Sequence, residues 1–214
     1  MENKSTIRKM DIITEVLNAS THGIGVILGI VGLVLLIYKN VVSGSSNYLV
    51  ANIIFGVCFI ALFLFSTLYH SLSFTRARKV MRRFDHSAIF LMIAGSYTPY
   101  CLISLNTDAS RWFLVGIWTL AIVGIVIKNF IMNAPAWVSA AIYLVMGWMS
   151  VIMLHSLTQS IATLPIILLI AGGVTYSVGT IFYCMKKWPM MHVIWHLFVL
   201  AGAVLIYISI YTIQ

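Results

Sequence analysis

Charge is what this sequence has least of. Its 214 residues include 13 Lys/Arg and five Asp/Glu, so 8% are charged, where a soluble domain carries about 25%. Apolar residues make up 61%. A water-soluble surface built from so few charges would aggregate, which excludes a soluble enzyme, a disordered tail and a nucleic-acid binder. Cysteine is nearly as scarce. Cys58, Cys101 and Cys184 are scattered and form no CxxC, which argues against a disulfide framework or a thiolate metal site.

Long uncharged runs are abundant instead. A membrane-crossing helix needs about 20 mainly apolar residues, and seven stretches qualify: His22–Tyr38, Tyr48–His70, His86–Ile103, Trp112–Ile127, Ala136–Leu154, Thr163–Tyr183 and His192–Thr212. None contains Asp, Glu, Lys or Arg. The expected fold is an all-α bundle of seven transmembrane helices forming one domain, a multi-pass protein of the cell inner (plasma) membrane. The first run is short, and its helix is expected to begin earlier, near Asp11. Its glycines (Gly23, Gly25, Gly29, Gly32) suit close helix approach. No small-x-small cleavage site follows it cleanly, so it reads as a first helix rather than a removable leader. The spans leave no room for an extramembrane domain, and any function belongs to the bundle or its mouths.

The basic residues predict orientation. Lys4, Arg8, Lys9, Arg76, Arg78, Lys79, Arg82, Arg83, Lys128, Lys186 and Lys187 fall on the N-terminal segment and the loops after spans two, four and six, against Lys39 and Arg111 on the other side. The positive-inside rule then places the N-terminus in the cytoplasm and the C-terminus outside. G-protein-coupled receptors and rhodopsin-like pumps run the other way, and the last span has no Lys for a retinal. The net charge of +8 is thus explained by topology and by attraction to anionic lipid head groups, without nucleic acid.

Ionisable residues at membrane depth are candidates for a site. His192 and His196 are four residues apart, which on a helix stacks both rings on one face about 6 Å apart along the axis. That spacing suits a metal, although Val193, Ile194 and Trp195 between them supply no general base. Ser66 and His70 repeat the spacing in span two at the same expected depth. Three histidines from two helices provide the ligands of an open zinc site. The alternative has Ser66 bonding its own helix and His70 among head groups. Asp85 opens span three, either as an N-cap or first-turn acid, or as a carboxylate beside a zinc water, or as both. His86 points about 100° away from it and is at best a supporting or interface group. Glu15, Asn18 and His22 share one helical stripe that closes the mouth, relays protons or forms a polar seam. His155 and the tryptophans read as interfacial or packing residues.

The set in this order, with E-x-x-N-x-x-x-H-G at Glu15–Gly23, STLYHS and FDHSAIF, resembles the progestin and adipoQ receptor family, and within it the bacterial hemolysin III branch. The resemblance implies Zn²⁺ held by His70, His192 and His196, with a water between the metal, Asp85 and Ser66. That family includes adiponectin receptors and alkaline ceramidases, so it implies hydrolysis of a lipid amide or ester within the membrane. The long N-terminal region of the adiponectin receptors has no counterpart, so signalling through it is not carried over. Two other functions stand beside this one: a non-enzymatic membrane regulator or receptor with structural zinc, and a cytolytic pore-former. The polar residues cluster at one end of the spans, which disfavours a pore.

Overall fold

The computed structural model describes residues 4–44, 48–130, 135–185, 188 and 190–213, with the backbone alone for 4–8. Lys186 and Lys187, and the side chains of Lys4 and Arg8, lie outside the described residues. Among the described residues eight α-helices follow in order: α1 (Lys4–Val42), α2 (Leu49–Ser71), α3 (Arg78–Pro99), α4 (Asp108–Phe130), α5 (Ala136–Trp148), α6 (Val151–Ser160), α7 (Thr163–Cys184) and α8 (Met190–Thr212). No strand occurs among the described residues. They make seven spans long and apolar enough to cross a membrane, α5 and α6 together forming the fifth. The chain is a multi-pass integral membrane protein.

Burial follows that reading. Ile27, Val57, Val123, Val145, Val174 and Leu197 point outward from six of the spans, as lipid-facing positions should. The third span differs, because no residue from 85 to 105 is exposed. It is the centre of the bundle. Lipid tails are as apolar as Leu, so helix association in a membrane depends on close packing and interhelical hydrogen bonds. The first-span glycines supply that packing. Gly25 faces the Phe63 ring, and a Cβ on Gly29 would meet Phe59 at 2.7 Å. These contacts lay α1 along α2.

Four expectations need correction. The first helix begins at Lys4, before Asp11, so Glu15, Asn18 and His22 lie well inside it. The third begins at Arg78 with no acid in its first turn, so Asp85 is neither an N-cap nor a first-turn acid. It sits two turns in, because the polar run before it is helical rather than loop. Lys128 lies in the last turn of α4, buried, and its Nζ donates to Ser139 Oγ of α5 at 2.6 Å. The fifth span breaks at Met149 and Ser150. The Tyr97 hydroxyl of α3 reaches the carbonyls of Met146 (3.0 Å) and Gly147 (2.6 Å) at that break, satisfying backbone groups that lipid could not. The third span also ends irregularly, in a π-turn at Tyr100–Leu105 just after Pro99.

Candidate metal centre

The packing of α1 on α2 and on α8 brings the polar residues of three helices to one end of the bundle. His70 comes from the last turn of α2, and His192 and His196 come from the first two turns of α8. One ring nitrogen from each lies within 4.8 Å of the others. A tetrahedral zinc with Zn–N bonds of about 2.0 Å holds its nitrogens roughly 3.3 Å apart, so small side-chain rotations close the set. His70 and His196 are buried and His192 is partly so.

The hydrogen bonds outside the cluster decide which nitrogens face inward. His70 Nδ1 lies 2.6 Å from Glu15 Oε2. Nδ1 is taken up by that carboxylate, and the other ring nitrogen, Nε2, is buried without a hydrogen-bond partner. His196 Nδ1 donates to the Asn18 carbonyl at 3.3 Å. A carboxylate or carbonyl behind each imidazole is the arrangement that orients histidine toward a metal. An orphaned imidazole nitrogen in a membrane core costs free energy unless something binds it. The donor set therefore fits a divalent cation of the zinc class.

Ser66 stands one turn before His70, buried, and its Oγ has no partner. The expected alternative, a serine bonded to its own helix and a histidine among head groups, does not hold. Thr67 makes such a bond instead, to the Phe63 carbonyl, and His70 is only 4% exposed. Asp85 lines the same cavity as the three histidines, and its Oδ2 lies 3.4 Å from His86 Nδ1. His86 Nδ1 also faces the Arg82 carbonyl at 2.8 Å, so His86 flanks the acid and stays outside the histidine cluster. The α1 stripe forms a seam against α2 and α8. Glu15 holds His70, Asn18 holds His196 through its carbonyl, and His22 stacks on His196 with ring centroids 3.7 Å apart and planes 13° from parallel. Both His22 nitrogens are buried without a partner, as is Asn18 Oδ1. His155 is on the exposed face of α6, away from the site.

The centre sits at one end of a cavity of about 580 Å³. Beyond the histidines its walls become apolar, with Leu144, Met153, Leu157, Leu169 and Ile206 from four helices. Trp148 flanks it, its Nε1 donating to Ser177 Oγ at 2.9 Å across α5 and α7. Two residues gain importance that sequence reasoning gave them only as topology markers or not at all. Arg78 NH2 lies 3.7 Å from Glu15 Oε1, and Arg78 lies over the Tyr69 ring at 5.7 Å. Tyr69 directly precedes His70 and offered that one signal.

Comparison with known proteins identifies the family. A family model described as haemolysin-III related matches residues 10–207. The chain is 40% identical to Hemolysin-3 of Bacillus cereus, over 98% of this chain and 96% of that protein. It is 45% identical to the Hemolysin-3 homolog of Bacillus subtilis (strain 168), over 88% and 89%. It is 31% identical to the human monocyte to macrophage differentiation factor, over 91% and 82%. A match over almost the whole chain, with seven spans in place, means that this protein belongs to the haemolysin-III related family.

Proposed function

We propose that this protein is an intramembrane zinc-dependent hydrolase of a lipid amide or ester. The observation that carries the reading is the meeting of three imidazoles, one acid and one unpartnered serine hydroxyl at the polar end of a largely apolar cavity. Such a cavity suits an acyl chain, and the polar end suits the bond to be cut. The excess of basic residues at the histidine end supports a cytoplasmic position for the site, at the inner face of the plasma membrane.

His70, His192 and His196 would hold the ion. When bound, zinc supplies Lewis acidity and makes water a nucleophile near neutral pH. Asp85 accepts a proton from the attacking water and returns it to the leaving amine or alcohol. Ser66 Oγ donates a hydrogen bond to the carbonyl oxygen as negative charge develops there. One water is consumed, the C–N or C–O bond breaks, and a carboxylic acid and an amine or alcohol leave. Glu15 and Asn18 act through the histidines as positioning residues.

The test is purified protein loaded with zinc, offered a panel of bilayer lipids and followed by lipid mass spectrometry. Asp85→Asn should lower hydrolysis by about 10²–10⁴-fold with zinc content unchanged. Hydrolysis at the wild-type rate in that variant would refute the role of Asp85. A second reading, zinc as a staple in a non-enzymatic receptor or regulator, draws on the ties from α1 to both α2 and α8. It predicts no turnover and a large loss of thermal stability in His70→Ala. Cytolysis, which the name Hemolysin-3 attributes to the Bacillus cereus relative, requires a water-filled path. The apolar lining beyond the histidines argues against one, and liposome leakage measures it.

A further inference from the structure

Outside the metal centre the most unusual surface is a pocket at the α2–α3 turn. It is lined by Tyr69, Thr75, Arg76, Arg78, Lys79 and Arg82, so every charged group on its wall is basic. It begins where the cavity ends, because Tyr69 and Arg82 line both. The α3 helix starts at Arg78, and the positive end of its dipole adds to the side-chain charge. Topology alone asks for basic residues on a loop. It does not ask for four of them, with two hydroxyl-bearing residues, around one concavity that adjoins a buried site.

The same turn carries apolar side chains turned outward. Phe74 is 68% exposed, Val80 50% and Phe84 46%. Aromatic and aliphatic groups flanking a cationic concavity belong at head-group depth, where rings and basic side chains meet lipid together. A free phosphate would need the cations alone.

We propose that this pocket seats the phosphate of an anionic phospholipid, and that such a lipid is the substrate class of the adjoining site. The substrate part rests on the hydrolase reading above, whereas the binding part does not. In a phospholipid the acyl esters lie a few bonds from the phosphate. A phosphate held by Arg76, Lys79 and Arg82 leaves those esters facing the cavity mouth. Arg78 links the two sites, because its guanidinium approaches Glu15, and Glu15 holds His70.

The test is a lipid titration of the detergent-solubilised full chain followed by native mass spectrometry, in the Asp85→Asn background so that turnover does not intervene. The probes are phosphatidylglycerol, phosphatidylcholine and inorganic phosphate. Phosphatidylglycerol should bind one per chain, at least tenfold tighter than phosphatidylcholine. Replacing Arg76→Gln together with Lys79→Gln, both exposed, should remove most of that preference. The matched control, Lys9→Gln with Arg83→Gln, removes the same charge from exposed positions outside the pocket and should leave the preference within about twofold. Three results would overturn the proposal: equal affinity for the two lipids, an equal loss in the control, or displacement of phosphatidylglycerol by inorganic phosphate at equal concentration. Because binding is read without turnover, failure here leaves the chemistry of Asp85 untouched, and failure of that chemistry leaves this binding intact.

Discussion

Glu15 on the first helix and His70 on the second are separated by 55 positions in the chain and by 2.6 Å in space. Their contact fixes the side of the imidazole that faces the other two histidines. Glu15→Gln keeps the shape but replaces a charged acceptor with a neutral one. Losing such a partner typically costs 10–100-fold in metal affinity. A chelator-competition titration should show that loss with the helical circular dichroism unchanged. Undiminished affinity would mean that the carboxylate does not orient His70.

The three imidazoles should act as a set, and the fourth should stand apart. His70→Ala, His192→Ala or His196→Ala should each reduce bound zinc from one per chain to a small fraction, measured by plasma mass spectrometry after dialysis. His22→Leu should retain the metal, because His22 stacks on His196 without belonging to the converging group. Removing zinc from the wild type with a chelator should lower the melting temperature, since a ligand bound only to the native state stabilises it.

The α1–α2 seam should be intolerant of bulk. In Gly29→Val, even the first added carbon meets Phe59 at 2.7 Å, and overpacking of this kind costs about 1–3 kcal/mol. Because the same seam holds Glu15 against His70, zinc affinity should fall together with stability. A change in one without the other, in paired unfolding and zinc titrations, would contradict the coupling.

A hydrogen-bonded chain well away from the three histidines offers an asymmetric test. Tyr100 OH donates to Ser209 Oγ at 2.6 Å, and Ser209 Oγ donates to the Pro165 carbonyl at 2.6 Å. Tyr100→Phe leaves the second bond standing. Ser209→Ala strands both the phenol and the carbonyl, and leaving buried groups unsatisfied costs more than removing one partner cleanly. Ser209→Ala should therefore be the more destabilising by about 1 kcal/mol, measured by unfolding in mixed micelles. The reverse order would show that neither bond governs packing there.

Much of this was legible in the residues. Seven apolar runs gave seven spans, and the four-residue spacings at Ser66–His70 and His192–His196 pointed to residues that line one cavity, because helical periodicity converts spacing into a shared face. What stayed hidden depended on contacts between distant segments. Nothing near Glu15 announces His70 as its partner. The head of α3 was misplaced because Arg78–Arg83 is too polar to resemble membrane helix, although it is helical. The break in the fifth span was masked because Trp148–Val151 contains no proline, glycine or charge to mark it. The phenol that satisfies it comes from Tyr97, more than forty residues earlier.

That break has a mechanical consequence. The fifth span is two short rods rather than one, joined at Met149 and Ser150 and clasped by the Tyr97 hydroxyl. Each rod keeps its own helical hydrogen bonds, and the joint between them carries Ile152 N–H to the Met149 carbonyl and Met153 N–H to the Ser150 carbonyl, both at 3.0 Å. The place where the fifth span bends is thus set by a neighbour's hydroxyl rather than by its own residues, and Tyr97→Phe would take the side-chain donor from two carbonyls at once.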